Sequence, residues 1–361
     1  MTLTQLLKFM KKVLFMIALV LGCTSVFAQN LDKNEAKQLK MFLQEAAEKD
    51  GTNAQALKVT NLNSLSGIEG LTIVGGHVTA IEWKDKHLAG NLDLSGFTQL
   101  TKVDVSRNSL NSITVADDAA LTEFNASRNK LTAVDFTNCP ALVKVALYKN
   151  RLTELTLNNT TTLKNLNVSN NLFVELNVAG NTALQTLNCQ GNHLEQLVVS
   201  GCTNLKNLYC GYNKLTSLNL MGTENLTNLN IDDNEITTMI VSGLPSLSTL
   251  ICSDNNMVTL GVRDCSNLLD LVCSYNDLTT LDVSNCNNLQ FVDCSYNDLT
   301  TLNLSNQTFL QRLLCNNNQL TTLDVSFDQA LVYINCRYNQ IVDFRTTACP
   351  NLRMVACQWN Y

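Results

Sequence analysis

Apolar and polar positions recur along most of the chain with a fixed period of 21 residues. Counted from the leucine that opens each unit, positions 1, 4 and 6 are apolar. The apolar positions 4 and 6 flank a polar position 5, which is the period-two pattern of a β-strand. Positions 11, 14 and 16 are apolar again and predict a return along the opposite wall. We number the units repeats 1–13 by their opening leucines, which are Leu100, Leu121, Leu142, Leu163, Leu184, Leu205, Leu226, Leu247, Leu268, Leu289, Leu310, Leu331 and Leu352.

Position 9 is asparagine in every repeat. A buried asparagine at a bend both donates and accepts, so it satisfies backbone groups that the turning chain leaves unpaired. Stacked in register, these side chains are predicted to form a hydrogen-bonded ladder. Its members are Asn108, Asn129, Asn150, Asn171, Asn192, Asn213, Asn234, Asn255, Asn276, Asn297, Asn318, Asn339 and Asn360.

A single repeat cannot bury its apolar side alone, so the repeats are expected to stack into a solenoid. One further turn of different length precedes repeat 1. The pattern L-x-x-L-x-[C/V/L]-x-x-N-x-L resembles leucine-rich repeat proteins, most closely the 21-residue, cysteine-bearing repeats of internalin-type bacterial surface proteins. The resemblance covers 78–361. It implies a curved, right-handed leucine-rich repeat solenoid with parallel β-strands on the concave face and little helix.

Residues 1–28 have the features of a secretory signal peptide. Three lysines precede the apolar run from Val13 to Gly22, and small residues lead to a predicted cleavage site after Ala28. The lipobox-like "VLGC" offers the alternative of an acylated Cys23. Either processing route exports the protein, to the periplasm, the outer cell surface or the medium, and the apolar run is too short for a permanent transmembrane helix.

Residues 29–77 are predicted to form an N-terminal cap, with a helix over about 32–50 and a junction after it. Asp32 and Glu35 have the spacing of a capping box, and Ala36, Leu39, Leu43 and Ala46 would line one face. This helix would cover the open end of the apolar core.

Cysteine recurs at two positions of the repeat. An exported protein suggests disulfides, but in-register strands hold neighbouring Cβ atoms about 4.8 Å apart, farther than a disulfide prefers. Position 6 also faces the core, where cysteine acts as a small hydrophobe. We therefore predict reduced, structural thiols. Position 6 holds Cys189, Cys210, Cys252, Cys273, Cys294, Cys315, Cys336 and Cys357, and position 19 holds Cys139, Cys202, Cys265, Cys286 and Cys349.

The negative net charge of the chain argues against nucleic acid as a partner. The formal charge of −6 becomes −9 once the three lysines of the signal peptide are removed, whereas phosphate binding needs clustered Lys and Arg. No Cys-x-x-Cys pair occurs, and His77, His87 and His193 are scattered, so neither a metal nor another cofactor is predicted.

Charge and aromatic residues are unevenly distributed on the concave face. Early repeats are basic there (Lys102, Arg107, Arg128, Lys130, Lys144, Lys149, Arg151) and later repeats are acidic (Asp232, Asp233, Glu235, Asp254, Asp270, Asp277, Asp293, Asp298). Tyr, Trp and Arg are the residues that dominate binding hot spots, so the face is predicted to bind a protein or glycan ligand. The candidate binding residues are Tyr212, Asp254, Tyr275, Asp277, Tyr296, Asp298, Arg312, Arg337, Tyr338 and Trp359.

Other interpretations of this surface stay open. The same polar residues would also serve solubility alone, with charge segregation a by-product of repeat duplication. Asp232, Asp233, Glu235 and Asp254 could clip a calcium ion, although no calcium-loop spacing supports it. Catalysis is not expected, since an open face offers no pocket that shifts pKa values and His193 has no nucleophile placed beside it.

The chain ends in mid-repeat, at "CQWNY". An open strand edge invites pairing, which suggests an edge-to-edge dimer through the C-terminal repeat, or a fragment of a longer protein. The internalin-type resemblance implies adhesion or protein recognition, with an assembly role in the cell envelope as the alternative.

Overall fold

The structure, a computed structural model, describes residues 31–157, 160–304 and 307–361. The predicted signal peptide, its cleavage site and Cys23 lie outside these residues. The described chain is a solenoid of parallel strands with little helix, which confirms the fold class predicted from the repeat.

One wall of the solenoid is a single sheet, the one that the sequence analysis places on the concave face. Its first two strands pair antiparallel, and every later strand is parallel to the one before it. Adjacent strands are offset by one repeat, so that Asn165 pairs with Thr186. The fifteen strands among the described residues are Leu71–Val74, His77–Glu82, Lys102–Asp104, Glu123–Asn125, Lys144–Ala146, Asn165–Asn167, Thr186–Asn188, Asn207–Tyr209, Asn228–Asn230, Thr249–Ile251, Asp270–Val272, Phe291–Asp293, Arg312–Leu314, Tyr333–Asn335 and Met354–Ala356.

The opposite wall carries short parallel strand pairs where positions 13–15 of neighbouring repeats meet. These pairs are Ala89–Asp93 with Ser109–Thr114, Ala133–Asp135 with Glu154–Thr156, Glu175–Asn177 with Gln196–Val198, Thr238–Ile240 with Thr259–Gly261, and Thr322–Asp324 with Asp343–Arg345. Between the two walls lies one continuous core. In repeat 9, for example, Leu271, Cys273 and Leu278 are fully buried.

A helical cap closes the N-terminal end of this core. Helix α1 spans Lys33–Gln44 and α2 spans Asn53–Ala56. Leu39, Phe42 and Leu43 of α1 are buried, and the Phe42 ring stacks on Trp83 with centroids 6.0 Å apart. Burying these three apolar side chains stabilises the first turn of the solenoid by roughly 1.5–3 kcal/mol each.

The α1 helix is shorter than the predicted helix over about 32–50. Glu45 leaves the helix in an extended conformation (φ −66°, ψ 156°), and Ala46 then pairs with Thr52 across a turn at Gly51. Ala46 is consequently exposed and does not line the buried face.

The predicted capping box is present only in part. Asp32 Oδ1 accepts the backbone N–H groups of Asn34 and Glu35, but the Glu35 side chain does not return to Asp32. It is buried and accepts the backbone N–H of Val78 at 2.8 Å, while its other oxygen lies 3.0 Å from Nδ1 of His77. Glu35 therefore ties α1 to the sheet, and the hydrogen bond raises the pKa of His77.

The position-9 asparagines join successive repeats. In repeat 9 the Asn276 Nδ2 donates to the position-6 carbonyls of Cys273 in its own repeat, at 3.2 Å, and of Cys252 in the repeat before, at 3.0 Å. Its Oδ1 accepts the N–H of Met257 at 3.0 Å. The same pattern recurs along the column as far as Asn360. Each asparagine thus satisfies three groups at the bend, and neighbouring repeats share one frame.

The cysteines occupy two columns of the core. No disulfide joins the thirteen cysteines in the described part of the chain. At position 6 all are buried except Cys357, and burial raises the pKa of Cys252 and of Cys294 to about 12. At position 19 the thiols donate to a position-16 carbonyl of the preceding repeat, as Cys286 does to Val262 at 3.1 Å.

Candidate functional site

The strand face is the solvent side of the fifteen-stranded sheet, formed by the side chains at positions 3 and 5. These positions flank the buried position 4, so alternation of the strand directs them away from the core. The register of one repeat per strand places every position-3 residue beside the position-3 residue of the next repeat. Side chains separated by 21 residues therefore become direct neighbours.

Repeats 10–12 carry an aromatic–arginine row on the strand face. Phe291, Arg312 and Tyr333 occupy position 3 on three adjacent strands. The guanidinium carbon of Arg312 lies 5.3 Å from the Phe291 ring centroid and 5.8 Å from that of Tyr333. Both distances lie within the range of cation–π attraction, about 6 Å. The two rings therefore hold an exposed cation between them.

Apolar side chains extend this row into a patch. Ile251, Val272 and Leu314 lie at position 5 of repeats 8, 9 and 11, half-buried rather than covered. Met354 continues the position-3 row in repeat 13 and is 60% exposed. We call these seven side chains the late patch: Ile251, Val272, Phe291, Arg312, Leu314, Tyr333 and Met354.

The strand face of the early repeats has a different composition. Over repeats 1–7, positions 3 and 5 hold charged residues, asparagines and a threonine, with Ala146 and Tyr209 as the exceptions. Several of these amides bond to one another, as Asn228 Nδ2 does to Asn207 Oδ1 at 2.7 Å. The early strand face is thus polar, and part of its hydrogen-bonding capacity is already used within the chain.

A second surface lies along one edge of the strand face. We call it the rim and define it as the side chains at positions 8 and 10. Position 8 adopts the left-handed conformation throughout, from Arg107 (φ 58°) to Trp359 (φ 66°), although only Gly191 is a glycine there. The asparagine ladder at the next residue holds this uncommon backbone in place.

Aromatic rings on the rim stack in pairs along the solenoid. Tyr275 and Tyr296 have centroids 4.2 Å apart and an interplanar angle of 9°. Tyr338 and Trp359 have centroids 5.7 Å apart at 5°. All four side chains are exposed, and a hydrogen bond to Tyr296 raises the pKa of Tyr275.

The remaining predicted binding residues lie near these two surfaces. Arg337, at position 7, donates from Nε to Gln358 Oε1 at 2.5 Å, and Asp298 accepts from Gln319 Nε2 at 2.8 Å. Asp254 and Asp277 are exposed on the rim. Tyr212 lies apart from the aromatic pairs, and the charge of Asp232, to which it is hydrogen-bonded, raises its pKa.

The structure therefore brings together some predicted site residues and separates others. Tyr275, Tyr296, Tyr338 and Trp359 lie on the rim, whereas Arg312 lies on the strand face. Sequence analysis missed Phe291, Leu314, Val272, Ile251 and Met354. The signal that could have found them was in the sequence, because large aliphatic side chains and phenylalanine enter the columns of positions 3 and 5 only after repeat 7.

The acidic group around Asp232 is not arranged as a metal site. Asp232 points toward Gly211, where a Cβ would stand 2.0 Å from its Oδ1, whereas Asp233 and Asp254 extend outward on the rim. Within the three described ranges, no group of three or more His, Cys, Asp or Glu side chains could hold a metal ion. The calcium interpretation of Asp232, Asp233, Glu235 and Asp254 is therefore not carried further.

Two clefts of about 420 Å³ each lie away from these acids. One is lined by Leu218, Met221 and Ile240 among others, and the other by Glu195, Ser217 and Asn219 among others. Neither contains His193 or the acids from Asp232 to Glu235. Over the residues that the structure describes, no helix has the length and apolar character needed to cross a membrane.

Several solved structures resemble the fold. YopM from Yersinia pestis, described as a leucine-rich effector protein, is 23% identical with a TM-score of 0.64, and the match covers 78% of this chain and 77% of that one. A leucine-rich repeat protein of Leptospira interrogans is 21% identical with a TM-score of 0.63, covering 77% and 81%. An internalin, InlF from Listeria monocytogenes, is 20% identical with a TM-score of 0.59, covering 90% and 94%.

These similarities show that the chain has the leucine-rich repeat fold, as the repeat pattern predicted. No protein-family model matches the chain, and no curated protein matches it in sequence. The fold alone does not say what the chain does, so its function has to be argued from its own side chains.

Proposed function

We propose that this is an exported bacterial recognition protein that binds a protein partner through the late patch and the adjoining rim aromatics. The main observation in support of this proposal is the row of Phe291, Arg312 and Tyr333 on an otherwise regular sheet. Arginine and tyrosine concentrate the binding energy of protein interfaces when they sit centrally among apolar neighbours. Arg312 is central here, with Leu314 beside it in its own strand and an aromatic ring on each side.

The rim supports a protein ligand better than a glycan. A sugar ring packs against the open face of an aromatic side chain. In the Tyr275–Tyr296 pair, however, each ring covers one face of the other, which leaves less open ring face for a sugar. Exposed tyrosines are also among the residues that dominate protein interfaces. Glycan binding by the tyrosine row remains the alternative to be tested.

Charge around the late patch constrains the partner. Asp270 and Asp293 lie on the strand face beside Phe291 and Leu314, and the rim adds Asp254, Asp277 and Asp298. A complementary partner would present apolar residues together with Lys or Arg, because matched potentials speed association and disfavour wrong partners. Adhesion to a host or neighbouring cell is the biological role that fits an exported protein of this kind.

Export rests on the N-terminal segment. Lys8, Lys11 and Lys12 precede the apolar run, and Ala28 ends the cleavage motif. Mass spectrometry of the N-terminus in the producing bacterium would distinguish Gln29 as the first residue from an acylated Cys23, and an intact Met1 would contradict export through this segment.

The proposal is tested by a binding screen of the chain from Gln29 to Tyr361 against extracellular-matrix proteins and a glycan panel. The triple variant Phe291→Ala/Arg312→Ala/Tyr333→Ala removes the centre of the late patch. Tyr275→Ala/Tyr296→Ala/Tyr338→Ala removes the rim aromatics. The matched control, Asn165→Ala/Thr186→Ala/Asn207→Ala, truncates the same position 3 in repeats 4–6.

We expect a protein ligand whose binding is lost in the first variant, weakened in the second and unchanged in the control. Unaltered melting temperatures would show that the variants fold. A glycan hit lost only in the rim variant would favour the alternative. A protein hit that survives both late variants would contradict the proposal.

A further inference from the structure

The rim carries charge along most of its length, and the proposed recognition site uses only Asp254, Asp277 and Asp298 of it. Positions 8 and 10 are basic in repeats 1–3 and acidic in repeats 7–10, with uncharged residues, His193 and Lys214 between. All the charged side chains are exposed. The basic members are Arg107, Arg128, Lys130, Lys149 and Arg151, and the acidic members are Asp233, Glu235, Asp254, Asp277 and Asp298.

None of these ten charges forms a salt bridge with any residue in 31–157, 160–304 or 307–361. Other charges do pair, as Lys102 does with Glu82 and Arg345 with Asp343. The rim therefore presents two blocks of opposite, unneutralised charge.

The backbone fixes the spacing of these charges. The position-8 N–H donates to the position-7 carbonyl of the next repeat, as Arg107 does to Ser127 at 2.9 Å. The position-10 N–H donates to the position-11 carbonyl of the preceding repeat, as Arg151 does to Leu131 at 2.8 Å. Successive rim residues are thus held about one strand spacing, 4.8 Å, apart. The rims of two copies therefore have the same spacing, because both copies have the same sequence and fold.

We propose that the rim is a self-association surface on which a second copy docks antiparallel, about a two-fold axis at repeat 5. Such an axis brings repeat n of one copy against repeat 10 − n of the other. It maps one copy onto the other with the order of the repeats reversed along the rim, and this holds for a straight or a uniformly curved solenoid. A two-fold interface uses the same patch twice, so each complementary contact occurs twice.

This register places opposite charges against each other. Lys149 and Arg151 of repeat 3 face Asp233 and Glu235 of repeat 7. In the neighbouring contacts, Arg128 and Lys130 of repeat 2 face Asp254 of repeat 8, and Arg107 faces Asp277.

At position 8 the centre of the interface carries no charge, whereas position 10 holds His193 at the axis and Lys214 in repeat 6, opposite Leu172. Gly191 lies at the axis, where two copies of the same residue approach each other and a bulky side chain would meet itself. On either side, Leu172 of repeat 4, 41% exposed, faces Tyr212 of repeat 6, 55% exposed. These apolar side chains would lose solvent in the dimer.

Other registers are less complementary. Moving the partner one repeat in one direction places Lys149 and Arg151 against Lys214, a like charge. Moving it in the other direction places them against the single carboxylate of Asp254, and Asp233 and Glu235 then face the uncharged Asn170 and Leu172. The first shift still places Arg128 and Lys130 against Asp233 and Glu235. Of these three registers, only the one centred on repeat 5 pairs both carboxylates of repeat 7 with two cations and has no like-charge contact.

The size of the interface predicts weak and salt-dependent dimerisation. Nine facing repeats span about 38 Å, and a rim about 15 Å wide gives a total buried area on the order of 1,200 Å², the lower end for specific complexes. Raising NaCl from 50 to 500 mM is expected to weaken dimerisation about tenfold or more, because exposed charges are screened. Repeats 10–13 project beyond the interface at each end, and both strand faces remain open.

Sedimentation velocity on the chain from Gln29 to Tyr361 tests this inference through charge reversal. One variant is Lys149→Glu/Arg151→Glu and the other is Asp233→Lys/Glu235→Lys. In a dimer of either variant alone, the reversed block of one copy faces the unchanged block of the other copy, which now has the same sign of charge. We therefore expect dimerisation to weaken by on the order of 100-fold. Mixed in equal amounts, the two variants present opposite charges at both contacts, so a heterodimer should form where neither variant dimerises alone.

The control is Lys164→Glu/Lys206→Glu, at exposed position-2 sites. It changes the net charge by the same amount as Lys149→Glu/Arg151→Glu. It should dimerise like the unmodified chain. Melting temperatures establish that all variants fold. A monomeric unmodified chain at 50 mM NaCl, dimerisation that persists in both reversal variants, or a mixture that stays monomeric would each overturn the proposal.

Discussion

The strand faces of repeats 1–7 and repeats 8–13 differ in their side chains, although the same frame supports both. By the frame we mean the buried apolar positions and the position-9 asparagines that recur in every repeat. Both halves have a leucine at position 1, an asparagine at position 9 and one repeat of offset between strands. In the early half, position 3 runs through Lys102, Glu123 and Asn165, and in the late half it runs through Phe291, Arg312 and Tyr333. Frame positions and surface positions are therefore separate in the sequence, and we expect surface changes to have little effect on the stability of the fold.

Making the late strand face resemble the early one is predicted to have the largest effect. The change Phe291→Asn/Arg312→Thr/Tyr333→Asn copies the position-3 residues of repeats 4–6 into repeats 10–12. Partner binding should weaken by at least about 100-fold, close to 3 kcal/mol, because the aromatic–arginine row is removed. Surface plasmon resonance against the protein recovered in the screen measures the loss.

The stability of that variant is the control. These side chains lie on the solvent side of the sheet, so melting should change little. A strongly lowered melting temperature would mean that the row belongs to the frame, which contradicts the separation of frame and surface.

The asparagine ladder should behave alike in the two halves. Asn171→Ala and Asn276→Ala each remove two donations to position-6 carbonyls and one acceptance from a position-11 N–H. Each is expected to lower the free energy of unfolding by roughly 1–3 kcal/mol, since the partners stay buried and unpaired. Urea unfolding of both variants gives the comparison. Values that differ several-fold would show that the frame is not uniform.

Two buried carboxyls, one in each half, are predicted to make stability depend on pH. Asp118 and Asp328 stand at position 19, where other repeats place cysteine. Burial raises the pKa of Asp118 to about 8 and that of Asp328 to about 7. Because the folded pKa exceeds the ordinary value of 3.8, the folded state binds more protons between about pH 4 and pH 8. Stability from these groups is thus fully present below about pH 4 and falls as the pH rises to about 8.

The Asp118→Asn variant should remove the contribution of repeat 1 to this pH dependence of stability. Asn181 shows what an amide does in this column, since its Nδ2 donates to the Val178 carbonyl at 2.8 Å. Among the described residues, neither carboxyl oxygen of Asp118 has a hydrogen-bond partner. We expect the variant to be about 1–3 kcal/mol more stable at pH 8 and little changed at pH 4. Thermal melts across this range test it, and equal effects at both pH values would contradict the protonation argument.

The smallest effect concerns the thiols. In the native protein only Cys357 is exposed, and Cys349 is half-buried, among the cysteines that the structure describes. One or two groups should therefore react with a thiol reagent in the native state, and all thirteen described cysteines should react after denaturation under non-reducing conditions. A denatured count below ten would show disulfides and overturn the reduced cysteine columns.

The sequence predicted the frame because each frame position has one physical task repeated thirteen times. The helix boundary and the capping box could not be predicted in the same way. The end of α1 at Gln44 follows from the pairing of Ala46 with Thr52, and Glu35 is drawn to Val78 and His77 by a contact across 43 and 42 residues. Local spacing carries no information about such partners.

The candidate site was predicted in part for a related reason. Tyr275 and Tyr296 lie in nearly copied segments and were recognised as a row. Phe291 and Leu314 differ from their equivalents in neighbouring repeats, so they look like isolated apolar residues until the sheet register places them beside Arg312. Reading columns in the 21-residue register, rather than conspicuous segments, recovers them.

The most direct test of the central claim is hydroxyl-radical footprinting of the chain with and without the protein recovered in the binding screen. Aromatic and sulfur-containing side chains in both halves report on solvent access. We predict that bound partner lowers the oxidation of Phe291, Tyr333 and Met354 and leaves Tyr148 and Tyr209 in the early half unchanged. Protection of Tyr148 and Tyr209 with Phe291 and Tyr333 unprotected would contradict the assignment of recognition to the late patch.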